Sequence, residues 1–116
     1  MIYLACPYSD PDSEVRIQRF EAANRAAAKL MRAGYHVFSP ISHTHPIALA
    51  GDLPKGWDFW ESYDRAFLSM MDNLTVLAID GWRESKGVRA EMQIAAELGL
   101  SIGFLVNGRE QAEAPE

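Results

Sequence analysis

A chain of 116 residues with 48% hydrophobic residues and a formal net charge of -5 has the size and composition of one globular domain. That charge excludes a general nucleic-acid surface, which needs clustered Lys and Arg, so no nucleic-acid polymer is expected as a partner. The lone cysteine, Cys6, excludes an intrachain disulfide; with no signal-peptide pattern and no apolar run near the roughly 20 residues of a membrane span, a soluble cytoplasmic chain without a membrane partner is expected.

In chain order, residues 2–6 (IYLAC) read as a buried strand stopped by Pro7, which cannot donate to a ladder. Asp10 and Pro11 read as an N-cap and first helical residue. The helix they open runs to about Ala33, with Val15, Phe20, Ala23, Ala27, Leu30 and Met31 as its buried stripe and Gly34 as its C′ glycine. Residues 35–39 (YHVFS) form a second strand, completing a β-α-β unit. Residues 40–56 hold three prolines and two glycines and read as a long loop, of the kind that is functional or mobile in a compact domain. Residues 57–72 are helical, with Trp60, Tyr63, Phe67 and Met71 on the buried side and Asp64 bordering it.

Residues 74–79 then form a continuous apolar run, as in a parallel strand covered on both faces. Asp80 and Gly81 turn the chain, and Ser85 offers an N-cap hydroxyl for a helix that opens on Gly87. A fourth strand at 100–106 closes the domain, taken as residues 1–108, and 109–116 read as a short flexible tail. The alternation predicts a doubly wound, three-layer α/β/α sandwich on a mostly parallel sheet of four to five strands. No GxGxxG, GxxxxGK[ST] or GxSxG is present, so dinucleotide, P-loop and serine-hydrolase chemistry have no motif support.

One residue breaks the apolar pattern. Glu91 shares a helix face with Val88, Met92 and Ala95, and a carboxylate there is costly to bury unless paired. It either reaches solvent at the stripe's edge, pairing Arg89 or Arg65, or it is an active-site carboxylate in the crevice at the carboxyl ends of the strands. A second carboxylate, Asp64 or Asp80, would complete the pair that glycosidic-bond chemistry uses. Ser85 and the N–H groups near Gly87 make either an anion site or a plain helix cap. Ser9, His43 and His45 fall on loops of the same rim. The two histidines lack a third partner at metal-ligand spacing, so ligand or backbone hydrogen bonds are expected of them and no metal. Trp57, Phe59 and Trp60 read as core or covering aromatics.

Several of these residues recur in one order: Ile-Tyr-Leu-Ala-Cys-Pro at 2–7, Asp64 and Asp72, Asp80-Gly81 after a strand, then Ser85-x-Gly87-x-x-x-Glu91 with Ala95 and Gly99. This resembles the nucleoside 2-deoxyribosyltransferase-like superfamily over residues 1 to about 106. That superfamily includes the deoxyribosyltransferases and the 2′-deoxynucleoside 5′-phosphate N-hydrolases. The resemblance implies a flavodoxin- or Rossmann-like fold, no cofactor, and cleavage or exchange of an N-glycosidic bond in a (deoxy)nucleoside or its 5′-monophosphate. It implies Glu91 as nucleophile, Tyr3 as the residue orienting it, and Asp64 as the sugar-holding aspartate. Ser85 falls where the hydrolases bind phosphate, with Gly87, Asp80, Ser9, His43 and His45 as further substrate-binding candidates. It also implies a homo-oligomer, dimer or tetramer. The sequence departs from the pattern at Cys6, where a glycine is usual, and in the first loop, which has no arginine; Arg16 and Arg19 are the substitutes nearby. A reading from a different class is a non-catalytic nucleotide-binding or sensor module on the same fold.

Overall fold

The computed structural model describes all 116 residues. In order they form β1 (Ile2–Ala5), α1 (Ser13–Arg32), β2 (Val37–Phe38), α2 (Pro40–Gly51), α3 (Trp57–Leu68), β3 (Asn73–Leu77), α4 (Lys86–Glu97), β4 (Ser101–Val106) and β5 (Arg109–Gln111). The sheet order is β2-β1-β3-β4-β5, with every pairing parallel except β4 with β5. This is the doubly wound α/β/α order of flavodoxin-like folds, with its switch point between β1 and β3. No helix is long and apolar enough to cross a membrane.

Strand periodicity decides the layers. Successive side chains of β1 point to opposite faces, so Tyr3 and Ala5 join Leu74, Val76, Val88 and Ile94 under α3 and α4. Leu4 and Cys6 join Ala23, Ala27, Leu30 and Leu77 under α1. The small residues along α1 let that helix sit close to the sheet.

Four readings of the chain are corrected. The cap of α1 is Asp12, whose side chain accepts from Glu14 N; Asp10 instead accepts from Asp12 N at 2.9 Å and shapes the preceding turn. On α1, Ala26 is buried and Met31 is exposed, because the stripe is set by the sheet surface it meets. Residues 40–51 are helix rather than loop: Pro40 occupies the first turn, where its missing N–H is harmless, and Thr44 Oγ1 donates to Pro40 O at 2.8 Å. Residues 109–111 are a strand rather than tail; Asn107 and Gly108, both at positive φ, make the turn that pairs Arg109 with Val106.

Leu74 is fully buried at the centre of β3, between β1 and β4. Leu74→Ala is expected to cost about 2–5 kcal/mol, as for other cavity-forming core truncations. Urea denaturation followed by far-UV circular dichroism measures it, and a loss near zero would remove Leu74 from the core.

Candidate active site

The residue that broke the apolar pattern is buried. Glu91 is 5% exposed on the inner face of α4. Helix α4 places it there because Ser85 caps the helix, accepting from Val88 N at 3.2 Å, and Val88, Ile94 and Ala95 pull the same face against the sheet. The Tyr3 hydroxyl, presented from β1, donates a hydrogen bond to Glu91 Oε2. Asp64, from α3, is buried beside both, close enough for its charge to raise the protonation tendency of Tyr3 and Glu91. Three residues 27 or more positions apart in sequence thus meet between the sheet and the α3/α4 layer. Arg65 pairs with Glu61 and Glu97 instead, so no arginine neutralises Glu91.

Asp64 also explains why the buried face of α3 differs from the expected one. Asp64 and Leu68 point inward, while Trp60, Tyr63 and Phe67 are half-buried beside them; Met71, just past the helix, is buried as expected. The face is turned by one position toward α4 because the carboxyl has partners there.

Electrostatically this is a pair that resists double ionisation. Burial pushes the Glu91 carboxyl well above the usual carboxylate range; the Asp64 charge adds to this, and the Tyr3 hydrogen bond opposes it. Burial likewise lifts Asp64 to about 6, against hydrogen bonds from Glu91 and Tyr3. The Tyr3 phenol is held well above its ordinary value by burial and then by the two carboxylates, so it remains a donor at neutral pH. One proton and one negative charge shared by two carboxyls is the composition that acid/base and nucleophilic roles divide between them.

Nearby groups frame the pair. Cys6 ends the strand that carries Tyr3; burial lifts its thiol to about 12, which fits a core residue and not a nucleophile. At the β1/β3 switch point Arg19 Nη1 donates to Ser9 O at 3.0 Å and Nη2 to Asp80 O at 3.5 Å. Gly81, at φ +89°, makes room for it: a Cβ there would lie 2.5 Å from Nη2. Arg19 and Arg16 have no carboxylate partner. Sequence reasoning reached them only as substitutes; the signal was two arginines one turn apart at the rim end of α1.

The remaining candidates distribute around this rim. Ser85 and Gly87 lie at the N-terminus of α4, above Glu91 on the same helix. Ser9 and Asp80 meet only through Arg19, and both side chains are exposed. His43 is exposed on α2, its ring 5.9 Å from Phe38, which in turn packs 5.9 Å from Tyr3. His45 is buried: its Nδ1 shares a 2.5 Å hydrogen bond with the Tyr8 hydroxyl and its ring stacks on Phe20 at 4.2 Å. The His45–Tyr8 pair is not legible in the sequence, where the prolines and glycines of residues 40–56 predict a loop.

A family model described as "Domain of unknown function (DUF1937)" matches residues 1–106, and the chain belongs to that family. No curated protein matches the sequence.

The acid pair carries a stability signature whose sign follows from linkage. Both carboxyls bind protons more tightly folded than unfolded, so their contribution is full below the unfolded values and is lost as pH rises through the folded ones. For Asp64 that window runs from 3.8 to about 6. Wild type is therefore expected to lose on the order of 2–3 kcal/mol from Asp64 alone between pH 4 and pH 7, with Glu91 steepening the slope in the same direction. Asp64→Asn should flatten that slope. Urea midpoints at the two pH values measure it; parallel slopes in the two proteins would remove Asp64 from the pair.

Proposed function

We propose that this protein cleaves or exchanges the N-glycosidic bond of a (deoxy)nucleoside or nucleoside 5′-monophosphate through a glutamyl-glycosyl intermediate. The observation that carries the reading is the buried Glu91–Asp64 pair with Tyr3 donating to Glu91. Ligand entry transfers the shared proton from Glu91 to Asp64, and the Tyr3 hydrogen bond favours the charge on Glu91. Glu91 attacks the anomeric carbon, the carbon–nitrogen bond breaks, and its electron pair goes to the base nitrogen, which takes the Asp64 proton. A water, or a second base, then attacks the anomeric carbon with Asp64 accepting its proton, and Glu91 leaves as a carboxylate. Asp64 would also hold a sugar hydroxyl. The scheme needs no cofactor. A homo-oligomer in a cytoplasmic setting fits the same reading.

Anion recognition follows from the rim. The N-terminus of α4, with Ser85 and Gly87, favours negative charge, and Arg19 supplies across the switch point the cation the first loop lacks. The exposed Asp80 carboxylate and the net charge of -5 oppose it. Directed donors outweigh a diffuse field screened over about 10 Å, so a monophosphate is expected to bind tighter than its nucleoside by about tenfold or more.

Two measurements test this. Chromatography of nucleosides and monophosphates incubated with the protein should show free base, and Glu91→Gln should reduce its release by several orders of magnitude in a folded protein. Undiminished turnover in that variant would end the nucleophile assignment; ligand binding without base release in wild type would favour the sensor reading. Separately, Arg19→Ala should bring the dissociation constants of a nucleoside and its monophosphate together. An unchanged ratio would remove Arg19 from the phosphate role.

A further inference from the structure

The acid pair is nearly buried. Glu91 is 5% exposed and Tyr3 fully buried. Neither the cavity of about 720 Å³ against β2 and the end of α3 nor that of about 280 Å³ against β4 and β5 is lined by Tyr3, Asp64 or Glu91. A sugar carbon in contact with Glu91 needs more of that carboxyl exposed than this structure shows. The elements that carry the pair are poor candidates for exposing it: β1, α3 and α4 all contribute fully buried apolar side chains to one core.

Helix α2 differs. Of its 12 residues only Pro40 and His45 are buried, and Ile47 and Leu49 are 47% and 69% exposed. Its N-cap Ser39 makes no capping bond, and Pro46 lies inside it, leaving the Ser42 carbonyl without its i+4 donor. It ends on Asp52 in the left-handed region, followed by a short segment to Gly56. Its position is nonetheless critical. It follows the carboxyl end of β2, its His43 lies over Phe38, and Phe38 packs against Tyr3. Away from Pro40, its inward anchors are few: Ile41, half-buried against the core under α1, and buried His45, bonded to Tyr8 in the β1–α1 segment and stacked on Phe20 of α1.

We infer that α2 is a hinged cover over the acid pair, latched by the Tyr8–His45 hydrogen bond, and that ligands reach Glu91 when the latch opens. The helix swings about buried Pro40 and the 52–56 segment. The latch sits at the rim, so a ligand arriving at the β1–α1 segment competes for the groups that hold the cover shut. Arg16, beside Tyr8 and His45, disfavours a protonated imidazole, and burial does so more strongly, which keeps the latch histidine neutral. Opening also wets Glu91, which favours its ionised form. Tyr8 and His45 are therefore positioning residues. The inference rests on the acid pair being a ligand site and not on the bond it acts upon.

The test uses the full chain without substrate, so it stands apart from the glycosidic reading. Native-state hydrogen exchange by mass spectrometry is recorded for wild type, Tyr8→Phe and His45→Gln at low urea. Glu91 is labelled in parallel with a water-soluble carbodiimide and an amine. Wild-type amides of residues 44–51 should exchange through an opening cheaper than global unfolding and insensitive to low urea. Tyr8→Phe should raise exchange there about two- to tenfold, the effect of one neutral hydrogen bond, with α1 and α4 unchanged and Glu91 labelling raised in step. If wild-type α2 exchanges only in step with α4 at global unfolding, the cover does not exist, whatever the variants do. Equal Glu91 labelling in folded wild type and folded variants would likewise overturn the latch.

Discussion

The structure is organised by one difficulty: a carboxyl placed inside an apolar layer. An isolated carboxylate there costs several kcal/mol or more, and nature's usual remedies are a counter-ion, hydrogen bonds or a proton. No cation approaches Glu91. Its partners are a phenol donor and a second buried carboxyl, which between them accommodate one charge and one proton. Three local features follow. β1 carries a tyrosine where an aliphatic residue would pack as well, α3 turns Asp64 inward, and α4 is held in register by a serine cap. A core built for stability alone would have no reason for the first two, since apolar replacements of buried ionic groups are often neutral or stabilising.

The topology places this arrangement beside the ligand-binding end of the fold. Strand order reverses between β1 and β3, so the segments leaving those strands diverge and open a crevice at their carboxyl ends. Arg19 spans that crevice, held by two main-chain carbonyls and no carboxylate. A guanidinium has five donors, and two carbonyl contacts leave donors over. Gly81 is favoured there by its positive φ, and its missing Cβ leaves the space the Arg19 guanidinium occupies. The acid pair lies deeper, between sheet and helices, so the chemistry and the charge recognition occupy different depths of one site.

The legible parts of the sequence were those with a strong local cause. Ser85 was readable as an N-cap because a hydroxyl stood at the start of an apolar helical face, and Glu91 because it interrupted that face. Its partner Tyr3 came through the family resemblance, since period-two alternation in a short all-apolar strand does not say which face lies under α4. Asp12 lost to Asp10 in the reading because Asp-Pro is also a helix start signal; the structure uses Asp10 for the turn and Asp12 for the cap. The inward face of α3 was not legible, because a carboxylate is counted as polar until its distant partners are known. Strand β5 has only exposed residues, so its cause is the turn at Asn107-Gly108 and pairing to β4, neither visible as apolar periodicity.

Helix α2 is the instructive failure. Pro46 and Pro54 argue for loop, its apolar residues follow no helical stripe, and it lacks a side-chain cap, so Pro40 at the first turn is left as its main local helix signal. Natural sequences are locally consistent with their folds except where function demands otherwise. In this chain such conflicts sit in two places, the acid pair and the helix beside it. A helix stabilised by its own sequence would hold the site shut. A segment with no helical preference at all would leave Glu91 open to water, and its ionisation would then follow solvent and not its partners. A helix held by a half-buried isoleucine and one buried histidine satisfies both demands, because its closed state shields the pair while the contacts that close it are few enough to be broken on binding.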